Sequence, residues 1–124
     1  MILGIGVDIA KVSRFKNLTD RDGFLGRFFN SDEIDLILSK GATAAQTLAG
    51  RFAAREAFFK ALGTGFNGFS LKDIDIINNS DGKPIIIPSD IVKKRLNSMG
   101  NSWRIHLSIS HEVEYAVAQV VLEA

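Results

Sequence analysis

The sequence predicts a single α+β domain in which a long helix packs on an antiparallel or mixed sheet. Three observations predict it. The first eight residues form an apolar run rich in β-branched side chains. The stretch GRFAAREAFFKALGTG, residues 50–65, is helix-forming and stops on glycines. Near the end, Ile105, Leu107 and Ile109 alternate with His106, Ser108 and Ser110, ahead of a second apolar run from Tyr115 to Leu122. At 124 residues the chain is one domain, residues 1–124, and no linker, repeat or low-complexity tract divides it.

The elements follow in order. Met1 to Asp8 reads as a buried strand whose glycines let other backbone come close and whose end carries a carboxylate. From Lys11 to Phe29 the pattern is helical and basic, with Lys11, Arg14, Lys16, Arg21 and Arg27 against Asp20 and Asp22. Asn30 followed three residues later by Glu33 reads as a capping box for a helix over about Asp32 to Lys40, ended by Gly41. The long helix runs from near Thr43 to Leu62, with Leu48, Phe52, Phe59 and Leu62 on one stripe. Arg55 points along that stripe, and Arg51 and Glu56 border it, so these charges stand beside buried surface. A strand at Asp73 to Ile77, a turn at Asn79 to Gly82, a strand at Pro84 to Ile87, a helix capped by Ser89 and two final strands complete the chain.

Composition narrows the function classes. Hydrophobic residues are 46%, charged residues 23% and the formal charge +1, which describes a folded soluble domain and points to neither nucleic acid nor a membrane surface. Without cysteine there is no disulfide and no thiolate metal site. The opening apolar run has no basic region before it, and nothing approaches the roughly 18 apolar residues of a membrane span, so a cytoplasmic protein is expected. Gly63-Thr64-Gly65-Phe66-Asn67-Gly68 matches G-x-G-x-x-G but follows a helix, which removes the dinucleotide-binding context. Zinc-protease and P-loop signatures are absent from the sequence. Taken singly, Glu56 and Lys60 also fit a solvated i,i+4 pair, Asp8 the start of a turn, and His111 a turn residue.

Together, GIGVDI at the start, GRFAAREAFFKALGTG in the middle and LSISHEVEYAVAQVV near the end stand in the order found in bacterial holo-[acyl-carrier-protein] synthases. The sequence resembles that family over almost its whole length. The resemblance implies the small α+β fold of the 4'-phosphopantetheinyl transferases, assembled as a homotrimer with active sites at the subunit interfaces. It implies transfer of 4'-phosphopantetheine from coenzyme A to a serine of apo acyl carrier protein, Mg²⁺-dependent, leaving adenosine 3',5'-bisphosphate and serving fatty acid biosynthesis. By the same resemblance Asp8 and Glu56 are the metal ligands, and Lys60 contacts the transferred or departing phosphate. The proton acceptor is Glu56 or a metal-bound water.

Coenzyme A contacts are expected from Arg51, from the Gly63-Thr64-Gly65 backbone and, across a subunit boundary, from Ser110 and His111. Arg14 and Arg21 are the expected docking residues for the acidic carrier protein. The chain departs from the family pattern at three places. Ala10 stands where larger relatives have a further acid. Ala42-Thr43-Ala44-Ala45 replaces a basic pair that holds the 3'-phosphate, leaving Lys40 as the candidate substitute. Lys11 stands where an acid is common. Two other classes also use parts of this set: a metal-dependent phosphohydrolase, which needs more carboxylates, and a non-catalytic carrier- or nucleotide-binding module, which has no use for Asp8, Glu56 and Lys60 in register.

Overall fold

A computed structural model describes residues 1–19 and 23–124. Strand β1, Ile2–Lys11, leads through a 3₁₀ turn at Val12–Phe15 to helices α1, Phe24–Phe28, and α2, Ser31–Ser39. The long helix α3 spans Ala44–Leu62. A hairpin of β2, Ile74–Asn78, and β3, Pro84–Pro88, precedes α4, Asp90–Met99, and the strands β4, Arg104–His111, and β5, Tyr115–Glu123. No helix among the described residues is long and apolar enough to cross a membrane.

The described strands pair only in antiparallel fashion, in a three-stranded sheet of order β1-β5-β4 and a separate β2-β3 ribbon. Of the two sheet types expected, antiparallel therefore holds. The reason is local: residues 112–114, between β4 and β5, are far too few for a parallel crossover. The basic segment also differs from expectation. Lys11 ends β1, and the Val12 amide donates to Glu114 O at 2.8 Å, so pairing with the turn before β5 continues where a helix was expected. Only the short turn at Val12–Phe15 and helix α1 are helical among its described residues. Val12, Phe15, Leu25 and Phe29 are each buried, but by separate contacts with the core and not as one helical stripe. The Arg21 position lies outside the described residues.

Helix α3 begins after Thr43 and ends at Gly63, whose φ of 79° lets its amide reach the carbonyls of Phe59 and Lys60. It is buried on most sides: Ala53, Ala54 and Ala57 as well as Leu48, Phe58, Phe59 and Leu62 are inaccessible. The alanines explain how it lies so close to the sheet. A Cβ on Gly6 would overlap the carbonyl of Ala57, and one on Gly4 that of Ala61, so β1 and α3 meet backbone against backbone. That contact sets the height of α3 over the sheet and with it the position of every side chain at the junction.

The charges on α3 have a structural cause that their spacing only hinted at. Arg55 is 0% exposed and donates to Leu71 O at 2.9 Å, Ile74 O at 3.2 Å and both carboxylate oxygens of Glu33, one at 2.8 Å. Arg51 donates to Ile76 O at 2.7 Å, and the Ile76 amide donates to Glu33 at 3.4 Å. These side chains thus occupy the backbone groups on the edge of β2 that β3 does not reach, the groups a further strand would otherwise have to satisfy. The capping box expected at Asn30 and Glu33 is not formed. Asn30 occupies the N-cap position of α2, but its amide donates to Asp75 while Glu33 turns into the core as the carboxylate between two guanidiniums. Burying two cations makes that carboxylate worth more in the interior than at a helix terminus.

The backbone contact predicts a sharp asymmetry between glycines. Gly6→Ala is expected to lower the free energy of unfolding by at least about 2 kcal/mol, because the added methyl meets a carbonyl that cannot move without displacing α3. Gly26→Ala in α1, where the methyl meets nothing, is expected to leave stability unchanged or slightly raised. Urea denaturation of the two variants checks this.

Candidate active site

Gly4, Gly6, Asp8 and Ala10 lie on the face of β1 that turns toward α3, because successive strand residues alternate faces. Where the two glycines bring helix and strand into contact, Asp8 is carried up beside the last turns of α3. Lys60 Nζ donates to Asp8 Oδ1 and to Val7 O, both at 3.0 Å. Glu56, one turn earlier, has its acid strength lowered: burial pushes its pKa up, and the negative charge of Asp8 pushes it further, against opposing pulls from Lys60 and then Arg14. Four charged groups therefore meet here, two carboxylates and two cations. Only the Asp8–Lys60 pair is hydrogen-bonded, and Lys60 is half exposed.

The donor set fits a hard divalent cation. A carboxylate whose charge is disfavoured by burial and by a neighbouring carboxylate, as that of Glu56 is beside Asp8, gains when a cation is placed between the two. No group of three or more His, Cys, Asp or Glu suited to a metal occurs among the described residues, so the fit rests on Asp8 and Glu56 as a pair. Ala10, buried in β1, leaves no third acid on this strand.

A separate cavity of about 290 Å³ opens at the other end of α3, lined by Lys40, Thr43, Thr47, Arg51, Asn78 and His111 among others. Arg51 forms part of its inner wall and is itself nearly buried, bound to Ile76 O, to Asn78 Oδ1 at 2.6 Å and, more weakly, to Glu33 at 3.4 Å. Desolvation lowers the pKa of Arg51, with the Glu33 carboxylate opposing the shift. His111 is positioned by Gln46, with 3.1 Å between Nδ1 and Oε1. Ser110 does not share this cavity. As the preceding residue on β4 it faces the opposite side of the sheet, in a recess with Ile9, Tyr115 and Val117 that His111, at the strand end, also borders.

The residues expected to bind one nucleotide ligand are therefore divided. Lys40, Arg51 and His111 line the cavity beside the first half of α3, while the Gly63-Thr64-Gly65 loop follows its end, about 18 Å from Arg51 along the axis. Arg14, its guanidinium 5.6 Å from the Phe15 ring, stands on the Asp8–Glu56 side. Three residues missed by sequence reasoning belong to the surroundings of these sites: Glu33, Arg55 and Asn78. Charge on the buried stripe of α3 was the one signal that pointed toward them.

On the outward face of the three-stranded sheet, Ile5, Val7, Ile9, Tyr115 and Val117 form an exposed apolar patch over β1 and the start of β5, beside the polar Arg104, His106, Ser108, Ser110 and Gln119. Val117 is 38% exposed, whereas Val120 is 0% exposed and belongs to the core under α3. Of the two faces of β5 expected to be covered, only the Val120 face is covered within the chain.

A family model described as the 4'-phosphopantetheinyl transferase superfamily matches residues 4–120. The chain belongs to that superfamily. It is 46% identical over 123 residues to the holo-[acyl-carrier-protein] synthase of Treponema denticola, with 99% of each chain aligned. Its fold is similar to the holo-[acyl-carrier-protein] synthase of Neisseria meningitidis, with a TM-score of 0.86, 38% identity and all of both chains covered. It is also similar to the Bacillus anthracis synthase in complex with CoA (3',5'-ADP), with a TM-score of 0.81 and 40% identity over 100% of this chain and 98% of that one. The protein is accordingly a 4'-phosphopantetheinyl transferase enzyme, and its α+β fold, a helix packed on an antiparallel sheet, is that of the synthases.

Both carboxylates are predicted to be needed for transfer and dispensable for folding. Asp8→Ala and Glu56→Ala should each lower turnover at least about a hundredfold, as expected when a site loses a ligand that neutralises transition-state charge. Circular dichroism and thermal melting should stay near wild type. Near-normal turnover in a folded variant would exclude a metal role for that residue.

Proposed function

We propose that this transferase moves 4'-phosphopantetheine from coenzyme A to a serine of apo acyl carrier protein at the Asp8–Glu56–Lys60 cluster, with Mg²⁺ held by Asp8 and Glu56 and with the site completed across the subunit boundary of a homotrimer. The observation that carries the reading is the junction of β1 and α3, which sets two mutually repelling carboxylates beside an ammonium group. When bound, Mg²⁺ supplies charge neutralisation for the diphosphate of coenzyme A. The chain's own groups do the rest. Lys60 offsets charge that develops on the phosphate as the serine oxygen adds and adenosine 3',5'-bisphosphate departs. Glu56, already biased toward protonation, is the chain's candidate acceptor for the serine proton.

The division of the nucleotide-binding candidates supports the trimer. Arg51 and the Gly63-Thr64-Gly65 loop are about 18 Å apart along α3, a span that a neighbouring subunit can shorten by setting its own cavity against this metal site. The exposed apolar face of the sheet offers the surface for that contact, and Ser110 lies on it. In this reading Lys40, Arg51 and His111 receive the nucleotide end, with Lys40 taking up part of the task of the basic pair that Ala42 and Thr43 do not supply. The Gly63-Thr64-Gly65 backbone lies near the pantetheine side. Arg14, next to the cluster, meets the acidic carrier together with Arg21. The setting is cytoplasmic fatty acid biosynthesis.

Intact-mass analysis of an apo carrier mixed with the enzyme, coenzyme A and Mg²⁺ tests the reading directly. A mass gain of one phosphopantetheine on the carrier supports it. Coenzyme A hydrolysed without a carrier would instead favour a phosphohydrolase, and binding without either product a non-catalytic module.

Two variants test the parts. Arg14→Glu should raise the KM for the carrier about tenfold and leave that for coenzyme A nearly unchanged, with the difference shrinking as salt is added. Equal losses for both substrates would contradict a docking role. Val117→Glu, on the exposed face, should lower oligomer mass and activity together while the subunit stays folded, whereas Val120→Glu should unfold it. A folded Val117→Glu monomer with full activity would mean that one chain carries the whole site; light scattering and the mass assay read both.

A further inference from the structure

Arg51 offers five N–H donors. Three hydrogen bonds within the chain engage it, from Nη1 to Ile76 O and Glu33 Oε2 and from Nη2 to Asn78 Oδ1, so the Nε–H and the second Nη2 N–H have no partner among the described residues, on a side chain that lines the cavity. Where those two are presented depends on how the planar guanidinium is held, since all five N–H bonds move together. Two of its partners are tied to the core: Ile76 O is backbone of β2, and Glu33 is locked by Arg55. The third is different. Asn78 stands at the exposed end of β2, opposite Pro84, and also lines the cavity. Its carboxamide oxygen accepts from Arg51 Nη2 at 2.6 Å, and that is its side chain's one hydrogen bond among the described residues. Nothing in the burial of Asn78 requires an amide there, because the side chain fills no core space.

We propose that Asn78 is a positioning residue for the donor substrate: it fixes the free edge of the Arg51 guanidinium toward an anionic phosphate of coenzyme A in the cavity. This rests on the reading of the Lys40–Arg51–His111 cavity as the nucleotide site. The β2–β3 hairpin thereby takes part in donor binding through a residue that does not itself need to touch the ligand. Without the Asn78 oxygen, the guanidinium keeps its two inner anchors and swings about them, and the outward donors lose their direction. Affinity for the phosphate then falls by the worth of about one hydrogen bond, while the Asp8–Glu56–Lys60 chemistry at the other end of α3 is unaffected.

The test measures the Kd for coenzyme A by calorimetry, with KM for apo carrier and kcat at saturating coenzyme A, in wild type, Asn78→Ala and Lys40→Glu. Asn78→Ala should weaken coenzyme A binding about five- to tenfold, with kcat, carrier KM and melting temperature unchanged. A merely structural asparagine would move the melting temperature and all the kinetic constants together, and that result would overturn the proposal. So would coenzyme A affinity equal to wild type in Asn78→Ala while Lys40→Glu weakens it. Lys40→Glu separates the two layers of the argument, since it reverses charge at the cavity on an exposed side chain. If neither variant changes coenzyme A affinity, the cavity is not the nucleotide site and both readings fall.

Discussion

The backbone of β1 lies against the backbone of α3, and the positions of the catalytic candidates depend on that contact. It exists because Gly4 and Gly6 present no Cβ where the carbonyls of Ala61 and Ala57 stand. Asp8 is the next residue on the same face of the strand, so the close approach that removes side chains at positions 4 and 6 delivers a carboxylate at position 8. Glu56 and Lys60 come from the helix side of the same junction. Small residues in this motif thus set the distance at which the acidic and basic residues of the proposed site meet.

A second constraint holds the other side of α3. The edge of β2 is closed by charged side chains, with Arg55 and Arg51 donating to its carbonyls and Glu33 accepting from its amide. Such a network gains little net stability over a well-packed apolar one, since each charge has been removed from water. Losing one member leaves the others uncompensated, so the arrangement is specified strongly even if it is not strongly stabilising. The guanidinium of Arg55 also lies 4.5 Å from the Phe29 ring, which draws the end of α1 into the same cluster. Arg51 is the member that reaches beyond the core, into the cavity wall. A fold determinant and a cavity-lining residue are here the same side chain.

Between these two constraints, α3 separates the metal-ligand candidates from the nucleotide cavity. In the proposed trimer that separation is resolved by a neighbouring subunit, and the uncovered apolar face of the sheet is the part of the molecule suited to receive one. The same arrangement would make donor binding conditional on assembly.

Much of this was legible in the sequence. The limits of the long helix, the paired final strands and the hairpin turn follow from local periodicity and turn residues, whereas the conjunction of Asp8 with Glu56 and with Lys60, 52 residues away, followed from the resemblance to the synthase family. What was not legible depended on partners far along the chain. Asn30 and Glu33 have the spacing of a capping box, and nothing local says that Glu33 instead meets Arg55, 22 residues away, and the amide of Ile76, 43 residues away. Lys11 to Phe29 carries apolar residues at spacings a helix could use, yet pairing with β5 keeps Lys11 in the strand, opposite Tyr115, and a 3₁₀ turn follows at Val12–Phe15. The choice between antiparallel and mixed sheet, the burial of Arg51, and the choice of Val117 over Val120 as the exposed face of β5 are likewise tertiary facts. Sequence by itself determined the long helix, the hairpin and the final strands, and which chemistry-bearing residues they carry, because backbone propensity and side-chain alternation act over a few residues. The tertiary structure decided which charges are buried and which face is left open, because desolvation and pairing depend on what the rest of the chain brings alongside.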